Sequence, residues 1–382
     1  MATTTHLDEA PADEQARVAS RLSRLRSATA SAPLRTGPAS FLVPLRAAAV
    51  AVVALAVLLV LSVLDLALGE IDIPFGTTVA TLLGGGDPGS QFIITTLRLP
   101  QTTVALLVGA ALGLSGALCQ TFARNPLASP DILGVTQGAS AGAVFLIVLA
   151  GGSGYGGGLS SGLLASVGVP LAAFGGGMVT AVVLYLLSWR RGIDGQRLVL
   201  IGIGIGAALT AVVEWLLVRA RIRDAASAQV WLNGSLNART WDQGLPVALT
   251  LLVLAPVAFW LVRSLNALQL GDDTARMLGV RLQGTQLLVL LVAVGLAAVA
   301  VSAVGPLGFV ALVVPQVALR LTGGSRPPLL TSMILGSVLV VGSDLLTRVV
   351  IPFAVPAGVV TAVVGAPYLI WLLVRSNRKV TA

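Results

Sequence analysis

The chain has 382 residues, of which 56% are hydrophobic and only 10% charged, with a mean hydropathy of +0.93. No single soluble core of that length hides so much apolar surface, so the composition excludes a water-soluble globular enzyme and places the chain in lipid, where about 20 apolar residues cross the hydrocarbon layer as a helix. The formal charge of +8 raises nucleic acid as a partner only until the cations are located: they flank the apolar runs and read as topology signals.

Residues 1–42 form a polar Ala/Ser/Arg-rich stretch that holds Asp8, Asp13 and Glu14. That is unlike a secretory signal and reads as a mobile cytoplasmic tail, with His6 incidental. A transmembrane region is expected over 43–376 and a short cytoplasmic tail over 377–382. Cutting at charges, prolines and Gly-rich breaks gives spans near 44–66, 101–122, 132–151, 163–188, 198–218, 245–263, 285–304, 306–321, 329–347 and 356–374. The chain is thus an all-α integral membrane protein of about ten transmembrane helices. The division near Gly305 and Pro306 is the least marked, and 226–237 is too short to span and reads as a partial or re-entrant helix.

Ten crossings put both termini on one side. With the N-terminus inside, eighteen cations fall on cytoplasmic segments and six (Arg98, Arg219, Arg221, Arg223, Arg239 and Arg348) fall outside, the direction the positive-inside rule demands. Small residues such as Gly202, Gly204 and Gly206 are read as contacts that bring helices close together in lipid.

Nucleotide and metal chemistry find no footing. A P-loop needs a lysine after its glycines, and the one lysine is Lys379 near the end of the chain. Any ATP is therefore used by a partner. One histidine and one cysteine cannot build a His/Cys metal site, and Cys119 reads as a small packed residue. Asp65, Glu214 and Asp344 are the carboxylates expected inside helices, either as relay groups or as solvated or paired groups. Arg219 is the expected partner of Glu214, and Arg348 that of Asp344.

Three polar segments are more specific. The first is Arg98-Leu99-Pro100-Gln101 with the Gly/Ala-rich run from Leu106 to Ala117, continued by Arg124-Asn125-Pro126-Leu127-Ala128-Ser129-Pro130-Asp131. The second is Leu270-Gly271-Asp272-Asp273-Thr274-Ala275-Arg276-Met277-Leu278-Gly279-Val280, and the third is Gly305-Pro306-Leu307-Gly308-Phe309 with Val314-Pro315-Gln316 and Val355-Pro356-Ala357-Gly358. Together they resemble the FecCD-type permeases of iron-siderophore and cobalamin ABC importers, type II importers.

That resemblance implies a cobalamin-importer-permease-like bundle in the bacterial cytoplasmic membrane with both termini cytoplasmic. Its expected partners are a second permease, identical or paralogous, two ATPase subunits that use ATP, and an extracytoplasmic substrate-binding protein. No catalytic residue, metal or cofactor is expected in this chain. By position, Arg98 and Arg348 match arginines that dock the binding protein. Asn125, Leu127, Gly195 and Gln196 match a cytoplasmic gate, and Gly271, Asp272, Ala275, Leu278 and Gly279 match the coupling segment that meets the ATPase. Two departures stand out: Gln101 replaces a second arginine, and Gln316 replaces a histidine. The segment Trp231-Leu232-Asn233-Gly234-Ser235-Leu236-Asn237, with Trp241 beyond it, resembles siderophore permeases more than cobalamin permeases, and its tryptophans read equally as interface anchors. The expected cargo is a ferric siderophore, with cobalamin or heme as alternatives and an ion-coupled secondary transporter as the rival.

Overall fold

The computed structural model describes residues 31–36, 39–69, 71–149, 162–189, 195–350 and 355–377. The segments 1–30, 190–194 and 378–382, which carry expectations about tails, topology and part of the gate loop, lie outside the described residues.

Two short strands, β1 (Ser31–Thr36) and β2 (Ala39–Pro44), pair antiparallel with Ser31 opposite Pro44. This hairpin is the departure from an all-helical chain, and it occupies part of the segment read as a tail. Helices follow: α1 (Leu45–Ala67), α2 (Phe75–Leu82), then α3 (Leu99–Ala123), which continues from a turn at Pro88–Gln91 and a π-helical stretch at Phe92–Arg98. Next come α4 (Val135–Leu149), α5 (Gly162–Ser188), α6 (Gly195–Arg219), α7 (Ile222–Leu232), α8 (Trp241–Trp260), α9 (Val262–Gln269) and α10 (Asp272–Met277). The chain closes with α11 (Leu282–Val304), α12 (Val310–Thr322), α13 (Leu329–Val349) and α14 (Ala357–Asn377).

Each of the ten expected spans has its helix. Seven are long and apolar enough to cross a membrane, and the three in α4, α12 and α14 are shorter apolar segments. The break at Gly305 is real: φ is +81° at Gly305 and +66° at Phe309, so α12 starts only at Val310 and its 13 residues reach about 20 Å. The backbone at this break is satisfied by protein, as when the Ser235 N–H donates to the Val304 carbonyl at 2.9 Å. The expected partial helix is α7, whose 11 residues cannot span.

α3 is the centre of the bundle, burying 20 of its 25 residues, whereas α1 buries five of 23 and lies outside. α3 packs on α13 where Gly109 faces Gly336: a Cβ on either would overlap the other's carbonyl. It meets α12 where Gly116 rests on the Ala311 backbone, and α11 where the Ser115 hydroxyl donates to the Ala293 carbonyl at 2.5 Å. α4 and α5 pair in the same way through Gly138 and Gly176. In lipid such close backbone approach, not exclusion of water, holds helices together.

Replacing Gly336 with leucine forces α13 off α3. We expect a loss of about 3 kcal/mol or more, seen as a fall in Tm of the purified chain, while Gly175→Ala, whose Cβ meets no neighbour within 4 Å, leaves Tm unchanged.

Candidate functional site

The residues singled out in the sequence collect at the two ends of α3. At its C-terminal end the helix stops because Arg124 turns left-handed, at φ +48°. Asn125 then organises the exit: its N–H donates to the Gln120 carbonyl at 3.3 Å, and its side-chain oxygen accepts from the Leu127 N–H at 2.9 Å. Ala128, Ser129 and Leu133 are fully buried.

The start of α6 lies against this exit. Gly195 sits on the Ala123 backbone so closely that a Cβ would overlap its carbonyl, and seven residues later Gly202 packs on Leu133. The non-helical segment 124–134 therefore runs along about 10 Å of α6, exposed at Arg124 and Pro126 and largely buried from Ala128 to Gly134, and burial in protein is one setting in which such backbone is tolerated at membrane depth. The structure thus brings half-buried Asn125 and Leu127 beside Gly195, with Gln196 exposed on the first turn of α6.

The segment expected to meet an ATPase lies at the same end. Gly271 (φ +103°) and Gly279 (φ +81°) flank α10, and a Cβ at either would touch nothing, so both are glycines for their backbone conformation. Asp272 forms an ion pair with Arg124, and Gln269 donates to the Thr121 carbonyl at 2.8 Å. Ala275 departs from the expected docking role: it is 0% exposed and packs into the chain's own core. The outward face is instead made by Met277 and Leu278, 81% and 62% exposed, with the Asp273–Arg276 pair at 3.2 Å beside them.

At the opposite end of α3, the two expected docking arginines point inward. Arg98 is 8% exposed, and its guanidinium donates to the carbonyls of Leu66 (2.9 Å), Ala67 (3.0 Å) and Ile71 (2.6 Å). It caps the C-terminus of α1 and does not present a free cation. Arg348 donates to Asp65 at 2.6 Å and pairs with Asp344, as the spacing predicts. The second acceptor of Asp65 takes the Thr102 hydroxyl at 2.5 Å, and the Gln101 amide donates to Asp344 at 3.1 Å. Gln101 is therefore no weakened docking charge but a neutral donor in a buried cluster that ties α1, α3 and α13 together. The other departure, Gln316, is also buried, and its amide donates to the Gln120 oxygen at 2.6 Å while the Gln120 amide serves the Leu312 carbonyl. The expected pair of Glu214 and Arg219 does not form: Glu214 is exposed, and Arg219 lies 5.7 Å over the Trp215 ring. Trp241 is half-exposed, whereas Trp231 packs against the buried cluster of Ala139, Ala143, Ala173 and Val301.

The alternating apolar runs conceal the roles of Asp65 and Thr102, because contact across three helices has no spacing in one chain. Arg348→Gln strands two buried carboxylates. We expect a cost of about 3–5 kcal/mol, read as a lowered Tm, with Asp65→Asn added in the same chain recovering part of the loss.

Comparison with known proteins agrees with this architecture. A model of the FecCD transport family matches residues 55–375. The ferric enterobactin transport system permease protein FepG of Escherichia coli K12 is 40% identical over 312 residues, covering 81% of this chain and 91% of FepG. The achromobactin transport system permease protein CbrC of Dickeya dadantii is 37% identical, covering 85% of this chain and 91% of its own length. A solved structure of a metal-chelate type ABC transporter in an inward-facing conformation superposes with a TM-score of 0.73 at 27% identity, over 86% of this chain and 99% of that one. The ten apolar helices, the glycine-bracketed α10 and the match along most of the sequence place this chain in the FecCD transport family, as a multi-pass membrane permease.

Proposed function

We propose that this chain is the membrane-spanning permease of an ATP-driven importer that carries a ferric siderophore across the bacterial cytoplasmic membrane. The observation that carries this reading is α10: a short helix held between two left-handed glycines, with Met277 and Leu278 exposed outside the spans and Asp272 fastened to the end of α3. Exposed apolar side chains on a rigid element next to a gate are what a docked motor subunit needs. ATP is bound and used by two partner ATPases, and both chain termini lie with α10 on the cytoplasmic side.

The lever is short. An ATPase pair that closes on ATP moves α10, and the Arg124–Asp272 pair and the Gln269–Thr121 bond pass that movement to the exit of α3, where Asn125, Leu127 and Gly195 adjoin. Switching follows from contacts that differ between two states. α6 supports a second permease: it buries only Leu198, Gly202, Gly206, Val213 and Leu216, and its open side carries Glu214. A carboxylate facing hydrocarbon costs up to about 3 kcal/mol at mid-bilayer, so that side belongs against water or protein. The cargo path then lies between two permeases, and an external binding protein selects what enters. Ferric enterobactin and achromobactin in the names of the relatives favour a ferric siderophore over cobalamin or heme.

The test is uptake of labelled ferric siderophore and labelled cobalamin in cells lacking the chain, complemented with wild type or with Gly271→Val plus Gly279→Val. Valine cannot adopt φ +103° without strain. We expect iron uptake to fall at least about tenfold with the chain still in the membrane. Loss of cobalamin uptake alone changes the cargo. Uptake that survives removal of the ATPase but not Asp344→Asn selects the ion-coupled rival.

A further inference from the structure

We infer that Asp131 is a positioning residue for transport: it pins the break after α3 to the break before α12, so that the gate segment drives α14 as well as α6. The inference rests on the importer reading above and names the residue that carries the movement onward.

The stretches 124–134, between α3 and α4, and 305–309, between α11 and α12, are non-helical backbone packed into the bundle. Asp131 joins them. Its carboxylate accepts from the Thr136 hydroxyl at 2.6 Å and from the Phe309 N–H. It thus stands at the starts of both α4 and α12, where helix dipoles favour an anion, and it pairs with no arginine among the described residues. The Thr136 bond is local and caps α4. The Phe309 bond reaches across the fold, and the formation of α4 does not call for it.

Phe309 is an unexpected residue for its backbone. It is held at φ +66°, where a bulky side chain persists only when its surroundings fix it and where glycine fits without strain. Its side chain supplies the reason: it lies against Gly365 of α14 so closely that a Cβ there would come within 2.2 Å of the Phe309 Cβ. α12 is seated on α3 at Gly116, so a pull on the Phe309 N–H passes through its side chain to α14. Just beyond Asp131, Gly134 approaches the backbone of Gly202 and Gly206 in α6. One short segment therefore touches α6 with its own backbone and α14 through Asp131 and Phe309. A displacement of the gate at Asn125 and Leu127 reaches both helices through contiguous contacts.

The experiment uses the whole permease–ATPase complex in nanodiscs, with spin labels on α1 at Leu59 and on either α6 at Leu200 or α14 at Ile370, all exposed positions. Distances are read with and without a non-hydrolysable ATP analogue, beside uptake of the labelled ferric siderophore that the wild-type chain carries. In wild type the analogue should shift both distances. Asp131→Ala and Phe309→Ala should each abolish the shift at α14, keep that at α6, and lower the cargo carried per ATP about tenfold with the chain still in the membrane. Phe309→Ala leaves the Asp131 carboxylate and both its bonds in place, so it decides the matter where Asp131→Ala fails to fold. Thr136→Val, which removes only the local cap, should keep both shifts, with uptake within about twofold of wild type. An α14 shift that survives Asp131→Ala or Phe309→Ala overturns the proposal, as does a Thr136→Val chain that loses it. A wild-type complex in which the analogue shifts neither helix and ATP drives no uptake refutes the importer reading itself, a result distinct from failure of the pin.

Discussion

In hydrocarbon no hydrophobic effect draws one apolar helix to another, so α3 and α13 are held by backbone resting on backbone where Gly109 meets Gly336. The rest of the bundle is arranged around that crossing. Because α3 is fixed against α13 at its middle and against α12 at Gly116, its middle is the fixed point of the bundle, and the contacts at each end decide how that end responds. α11 adds a third wall, with the Ser115 hydroxyl on the Ala293 carbonyl as the polar peg between them. The cost of such packing is intolerance of side chains: where a Cβ would overlap a carbonyl, no rotamer rescues a larger residue.

Most polar groups inside this bundle are placed where protein answers them, although Arg348 Nε is buried without a partner among the described residues. Asp65 and Asp344 share Arg348, and the acceptors that one guanidinium cannot reach are taken by Thr102 and Gln101. A second arginine at position 101 would alter the charge of that cluster, whereas an amide donates to Asp344 without doing so. Near the other end, Gln120 and Gln316 serve each other and the Leu312 carbonyl. Both networks attach to α3, so the central helix is tied by polar contacts as well as by packing.

Much of this was legible in the sequence. Ten apolar runs separated by charges gave the helices in order, since a helix that must satisfy its own backbone announces itself by length and composition. The short helix α10 was legible too, because two glycines bracketing an acidic start describe a local conformation. What failed was any property that depends on a neighbour distant in sequence. Arg98 and Arg348 lie beside the outer ends of their helices and match docking cations by position, but the carbonyls of α1 claim Arg98, and Asp65 joins Asp344, the partner that the spacing offers, on Arg348. Ala275 reads as a small surface residue, and only the fold shows that α10 turns it inward. Glu214 failed the other way: spacing offers Arg219, yet the arginine settles over Trp215 and leaves the carboxylate open.

The two ends of α3 differ in a way that bears on how force enters and leaves. Between the segment 269–272 and the end of α3 the polar contacts are two: one partly solvated ion pair, worth about 0.2–1 kcal/mol, and one half-buried amide to a carbonyl. Contacts of that size can be made and broken in each cycle. Around Asp65 the contacts are buried and mutually dependent, and breaking one leaves a charge in a poor dielectric. On the coupling role proposed for α10, movement driven there rearranges the exit of α3 and the start of α6 first, while the Asp65–Arg348 end turns as a unit with α1 and α13. An alternating gate needs this division, because an end that yields easily can open only if the other end keeps the helices together.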